Sequence, residues 1–224
     1  MGVAERRMRE KHMRRLDIMD AAKKVFSIKG FTGATMEEIA EKAELSPATL
    51  YNYFKSKYDL YASLNLRMLT RLAEILDSLA SRADLEPLEK IRRLSQAMYE
   101  LYEFDPLILR NVIHLQASEL MKGLAPETAS EINALAAKSL RTLAAIFSEA
   151  IDHEIIEVHN PIALGDIIWG LFTGLVLWEE SKRLFDPKKE FLKPTLDLAV
   201  ALLARGLRRR EAGQDGEKTV KAAS

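Results

Sequence analysis

Between Ser46 and Lys57 the chain reads SPATLYNYFKSK, a segment too short and too polar for a core helix that still gathers two tyrosines, an asparagine, a phenylalanine and two lysines. Such side chains hydrogen-bond and carry charge, and they stand beside no recognisable catalytic group. A Gly-rich phosphate loop, a nucleophile elbow and a metalloprotease helix are all missing from the sequence. Glu149, His153 and Glu157 do have the i, i+4 spacing of metal ligands, with His159 close behind. However, a helix end expected near Asn160 breaks that face, and a histidine near a helix C-terminus is favoured by the dipole alone. His114, in the amphipathic run ILRNVIHLQASEL, reads as a half-buried histidine able to hydrogen-bond a ligand. The residue types thus point to recognition rather than catalysis, with no cofactor and no metal.

What must position these residues is a helical scaffold. Apolar residues recur at three- and four-residue spacing almost throughout, which predicts an all-α protein. The 224 residues suffice for one large domain or two small ones. Thirty-three basic residues balance 33 acidic ones, so affinity for a polyanion has to come from a local patch. The absence of cysteine removes disulfides, thiolate metal sites and thiol nucleophiles, and suits a reducing cytoplasm. The N-terminus lacks the apolar core of a secretory signal, and the longest apolar run, Ile167 to Trp178, falls short of the roughly 18 residues of a membrane span. A soluble cytoplasmic protein without a membrane partner is expected.

In the first helix Leu16, Met19, Ala22, Val25 and Phe26 share a face, and Gly30 supplies the left-handed stop. Thr35-Met-Glu-Glu38 is a capping box that opens a second, short helix. Ser46 as N-cap and Pro47 as first helical residue open a third. Longer helices are predicted at 58–81, 86–103, 106–122, 126–153, 161–184 and 191–211, many of them beginning near a proline. Residues 212–224 have the composition of a disordered tail.

Residues 16–54 therefore have the layout of a helix-turn-helix unit, in which the second short helix enters the DNA major groove. Leu50 and Phe54 form its inner face; Pro47, Ala48, Tyr51 and Asn52 are left for solvent or DNA. The positions Ile18, Ala21, Ala22, Phe26, Gly30, Phe31, Thr35, Ile39, Ala40, Ala43, Leu45, Ser46, Thr49, Leu50, Tyr51, Tyr53, Phe54, Lys57 and Leu60 together resemble the N-terminal signature of the tetracycline-repressor (TetR) type of bacterial regulators. The resemblance covers the first quarter of the chain; beyond it only length and helicity match.

The resemblance implies a helix-turn-helix domain over 1–60 and a helical effector-binding and dimerisation domain over 61–211. Pro47, Ala48, Tyr51 and Asn52 would face base edges, Asn52 pairing with adenine. Thr35, Thr49, Tyr53 and Lys57 would contact phosphates, joined by amides at the helix starts that Thr35 and Ser46 cap. A basic arm ahead of the first helix, including Arg14 and Arg15, would add to this and enter the minor groove. The family usually has glycine in the turn where this chain has Glu44, so either the turn is strained or its geometry avoids positive φ.

By position, helices 161–184 and 191–211 would form the homodimer interface, and their apolar faces suit that use. The partner would be a near-palindromic double-stranded operator, released by a small hydrophobic or aromatic effector. Candidate walls of the effector pocket are Met68, Leu72, Met98, Tyr99, Tyr102, His114, Phe147, Trp169, Phe172 and Trp178. The rival reading is a helical ligand-binding or adaptor protein that keeps the fold without operator binding.

Overall fold

Helix α1 (Val3–Gly33) buries Ile18, Met19, Ala22, Val25 and Phe26, the stripe that three- and four-residue spacing demands. In the computed structural model, residues 2–107, 109, 124–183, 185–186 and 190–209 are described. The expected break falls at Gly30, whose φ of 68° and ψ of 170° lie in a region essentially restricted to glycine. The chain then makes one more short helical turn before leaving α1. A correction applies at the other end: residues 3–15, expected as an arm ahead of the helix, are its opening turns. AERRMREKHMRR is rich in good helix formers, Glu5 accepts from the Gly2 amide at 2.9 Å, and Arg6 pairs with Glu10 at 2.8 Å.

The short helices α2 (Met36–Lys42) and α3 (Pro47–Tyr51) follow. Helix α4 (Lys57–Ala80) carries the chain out of the N-terminal unit, and α5 (Pro87–Phe104), α6 (Pro126–Asp152), α7 (Pro161–Arg183) and α8 (Leu192–Leu207) complete the described elements. The helix expected at 106–122 lies almost wholly outside the described residues, as does the tail at 212–224. The last helix ends four residues earlier than predicted. Arg208 turns into extended backbone to bridge Ile156; the Glu157 amide donates to Leu207 O at 2.8 Å and the Arg209 amide to Ile155 O at 3.1 Å.

Helix α4 is the spine. It packs on α1, α5 and α6, while α6 meets α7 and α8 lies against α5 and α7. Leu60, Tyr61, Leu64, Met68, Leu72 and Leu76 are buried along it, and core side chains from Ile18 to Leu207 form one contiguous cluster. The boundary expected at residue 60 thus falls inside a continuous helix. Burial pushes the Tyr61 hydroxyl up to about 12. Among the ion pairs that tie the elements, Lys23 of α1 meets Asp105 after α5 at 2.5 Å, and the buried Lys90 meets Glu149 at 2.9 Å. Burial opposes the Lys23 charge, yet its bonds to Asp105 and Asp20 prevail and raise its pKa.

By length and composition α7 is apolar enough to cross a membrane, contrary to the expectation drawn from its longest uninterrupted run. One charged residue, Asp166, breaks the run without making the helix polar. Only 28% of its most apolar window is buried, so much of that surface faces outward.

Candidate nucleic-acid interface

The two short helices are built by their caps. Thr35 Oγ1 accepts from the Glu38 amide and Glu38 Oε2 from the Thr35 amide, each at 3.2 Å. Lys29 bonds the same carboxylate and, with the Thr35 amide, holds Glu38 below its usual range. Ser46 Oγ accepts from the Thr49 amide at 3.2 Å and lies 2.8 Å from Thr49 Oγ1. Between them the chain turns through Glu44 at a φ of 57°, which settles the alternative left by the sequence in favour of a left-handed residue. The Glu44 amide bonds Glu41 O at 3.0 Å and the Leu45 amide bonds Ala40 O at 2.9 Å, the pair of bonds that closes a Schellman end.

This geometry fixes the orientation of α3. Leu50 and Phe54 are fully buried, and Ser46, Pro47, Ala48, Tyr51 and Asn52 lie exposed together on the opposite side. Thr49 is half-buried, as is Tyr53, which packs partly against the core. Thr35 is exposed at the start of α2.

Two cations expected to await phosphates have internal work instead. The Lys57 ammonium donates to Phe31 O at 3.0 Å and to Thr32 O and Ala34 O at 3.2 Å each, and stands 4.9 Å from the Phe31 ring centre. Three donors meet three carbonyls at the end of α1, so Lys57 is not the exposed cation that the sequence suggested. Arg15 donates from Nη1 to Tyr53 O at 2.7 Å and lies over the Phe54 ring at 4.1 Å. It pins the C-terminal end of α3 to α1. Arg14 is exposed, 3.9 Å from Asp17. Lys55 is exposed beside α3, its ammonium reaching only Tyr51 O at 3.5 Å. Sequence reasoning passed over Lys55 in favour of Lys57; no residue pattern told the two apart, because the three carbonyls meet only after folding.

The candidate effector residues are not gathered in one place. Leu72 of α4 and Trp169 of α7 line a cavity of about 230 Å³. Its other walls, which the sequence reading did not select, include Leu69 of α4, Ala136, Ser139, Leu140 and Leu143 of α6, and Asp166 of α7. Their three- and four-residue spacing along α6 was the available signal. The helices come close here because position 165 is glycine: a Cβ on it would meet Leu140 Cδ1 at 3.0 Å. Met68, Met98, Tyr102, Phe147 and Phe172 are buried core residues, and Tyr99 stacks on Tyr102 with ring centres 6.0 Å apart. Trp178 is 62% exposed, which removes it from any interior pocket. His114 lies outside the described residues. The Glu149, His153, Glu157 face holds no metal-type cluster among the described residues; Glu149 is taken by Lys90, and His153 caps α6.

Residues 18–64 match the model of the family described as bacterial regulatory proteins, tetR family. The transcriptional activator FasR of Mycolicibacterium smegmatis is 32% identical over 92 residues, which is 41% of this chain and 42% of that protein. The chain spans about half the length of the curated relatives it matches. Among solved structures, the TetR family regulator PfmR from Thermus thermophilus aligns with a TM-score of 0.72 at 22% identity, covering 86% of this chain and 99% of that one. FadR from Bacillus subtilis, solved with stearoyl-CoA, aligns with a TM-score of 0.68 at 22% identity, covering 86% and 99%. Residues 18–64 thus carry the N-terminal unit of the tetR family of bacterial regulatory proteins, on a helical fold similar to that of solved TetR family regulators.

Proposed function

We propose that the chain is a homodimeric DNA-binding transcriptional regulator, a repressor that leaves a near-palindromic operator when a small apolar molecule occupies the helical body. The observation that carries this reading is the exposed face of α3, with Pro47, Ala48, Tyr51 and Asn52 turned outward by the burial of Leu50 and Phe54. A helix held this way can lay its amide and phenol groups along base edges, Asn52 pairing with adenine N6 and N7. Ser46, Thr49, Thr35, Tyr53, Lys55 and Arg14 then flank it toward the phosphates, and the exposed Arg7, Arg9 and Lys11 extend the basic surface along α1. Lys57 and Arg15 act one step back, by fixing the helix ends.

A second copy supplies the missing cover for α7 and α8. Ile167, Trp178, Leu198 and Leu202 are exposed on these helices, and Gly170 and Gly174 have open space where a side chain would stand. An apolar face of this kind, rimmed by polar residues, marks an interface. Two-fold pairing sets two copies of α3 about 34 Å apart, one turn of DNA.

A gel-shift titration against DNA from the gene's own upstream region tests the reading. Asn52→Ala and Tyr51→Ala are expected to lower discrimination between that DNA and random duplex by about 1–3 kcal/mol. Equal losses on both DNAs would remove α3 as the reading element, and the absence of any salt-sensitive, selective shift would leave an adaptor that keeps only the fold.

A further inference from the structure

We infer that the cavity between α4, α6 and α7 is a site for a lipophilic cation, an amine or quaternary ammonium on a short apolar body. The inference rests on the effector reading above and names its chemical class. Leu69, Leu72, Leu140 and Leu143 give the cavity its apolar walls, and Asp166 is the one ionisable group among its described lining residues. No lysine or arginine pairs with Asp166 among the described residues, and it is exposed at the side of the cavity. Trp169 lies three residues further along α7, so the indole and the carboxylate share one face of the helix.

A cation between them gains from both groups. Tryptophan offers the strongest ring face for an ammonium, and a neighbouring carboxylate supplies the counter-charge. An anionic head meets the opposite field. At about 230 Å³ the space lies just below the range of about 300–1,000 Å³ typical of small-molecule pockets, so a short chain or single ring fits it better than a long one. The stearoyl-CoA bound by FadR from Bacillus subtilis is both longer and anionic. On this chemistry the two proteins share a fold and differ in what they sense.

Calorimetric titration of the full chain with four eight-carbon probes separates the possibilities: octyltrimethylammonium, octanol, octanoate and octanoyl-CoA. The cation is expected to bind at least tenfold tighter than each of the others. Asp166→Asn should weaken the cation about tenfold and leave octanol within twofold, while Leu72→Trp, which fills the cavity, should weaken both. Equal or tighter binding of octanoate or octanoyl-CoA overturns the inference, as does a cation preference that survives Asp166→Asn, or no binding by any probe. Operator release is measured separately. Tight cation binding without release refutes the effector role and leaves the cation site standing, whereas release by octanoyl-CoA without cation binding does the reverse.

Discussion

The N-terminal unit and the helical body solve three local problems with the same residue types: a phenylalanine in the core, a lysine over a helix end, and a glutamate in a left-handed turn. Phe54 and Phe147 are both buried. Lys57 covers the end of α1 and Lys90 the end of α4. Glu44 closes α2 and Glu154 closes α6, at φ values of 57° and 56°. The solutions differ in charge. Lys90 gives its bonds to Ala80 O and to both oxygens of Glu149, whereas Lys57 bonds carbonyls alone. A cation bonded to dipoles keeps its full charge, so the N-terminal unit stays positive where DNA is proposed to lie. At Lys90 the charge is instead neutralised by Glu149.

The largest effect tests whether the two regions are one cooperative unit. Phe54→Ala and Phe147→Ala should each cost about 3–5 kcal/mol. The N-terminal unit meets the rest through α1 on α4 and through the Lys23–Asp105 pair, a smaller junction than the α4–α6 and α6–α7 contacts. Hydrogen exchange should therefore show Phe54→Ala exposing amides of residues 18–54 while α6 and α7 stay protected. Phe147→Ala should weaken protection throughout. Equal loss of protection in α6 from both variants would merge the two regions into one unit through the continuous core along α4.

The lysine pair sharpens the comparison in charge. Lys90→Met leaves Ala80 O and the half-buried Glu149 without their donor and should cost about 2 kcal/mol, since Glu149 keeps contact with water. Lys57→Met leaves three carbonyls without a donor, at about 2 kcal/mol. Thermal denaturation reads both. If Lys57 acts only by holding α1 to the start of α4, the salt dependence of DNA binding keeps its slope in Lys57→Met while overall affinity falls. A slope flatter by about one would put Lys57 on a phosphate in the complex. Lys55→Met, by contrast, is expected to flatten it.

How much of this was legible follows from range in sequence. Caps, turns and helix faces are set within four residues, so Thr35, Ser46, Gly30 and the inward pair Leu50 and Phe54 could be read directly. Helix starts could too, because proline marks them. What could not be read depends on partners 20 or more residues away: Lys57 on Phe31 O and Arg15 on Tyr53 O look in sequence like any exposed cation beside a recognition helix. Of the candidate effector residues only Leu72 and Trp169 line the cavity, for a related reason. Large side chains stand out in sequence as pocket walls, but those that are fully buried, such as Phe147 and Phe172, fill space. The space itself lies where the small side chains Ala136 and Ser139 leave it.

The smallest effect concerns the two left-handed glutamates. A side chain in this conformation costs about 1–2 kcal/mol, and glycine avoids that cost but loses about 0.5–1 kcal/mol more entropy on folding. Glu44→Gly should therefore stabilise the chain by about 0.5–1 kcal/mol, seen as a higher melting temperature. Glu154→Gly should gain less, because Glu154 also pairs with Arg209 at 2.9 Å, an exposed contact worth at most about 1 kcal/mol. Only Glu44 lies beside the proposed DNA face, so its removal should also tighten DNA binding at low salt, an effect that fades as salt rises. If both glycine variants gain equally in stability and neither alters DNA binding, Glu44 is an ordinary helix end. A gain in binding confined to Glu44→Gly means that the negative charge of this glutamate, more than its backbone strain, governs how closely DNA approaches the turn.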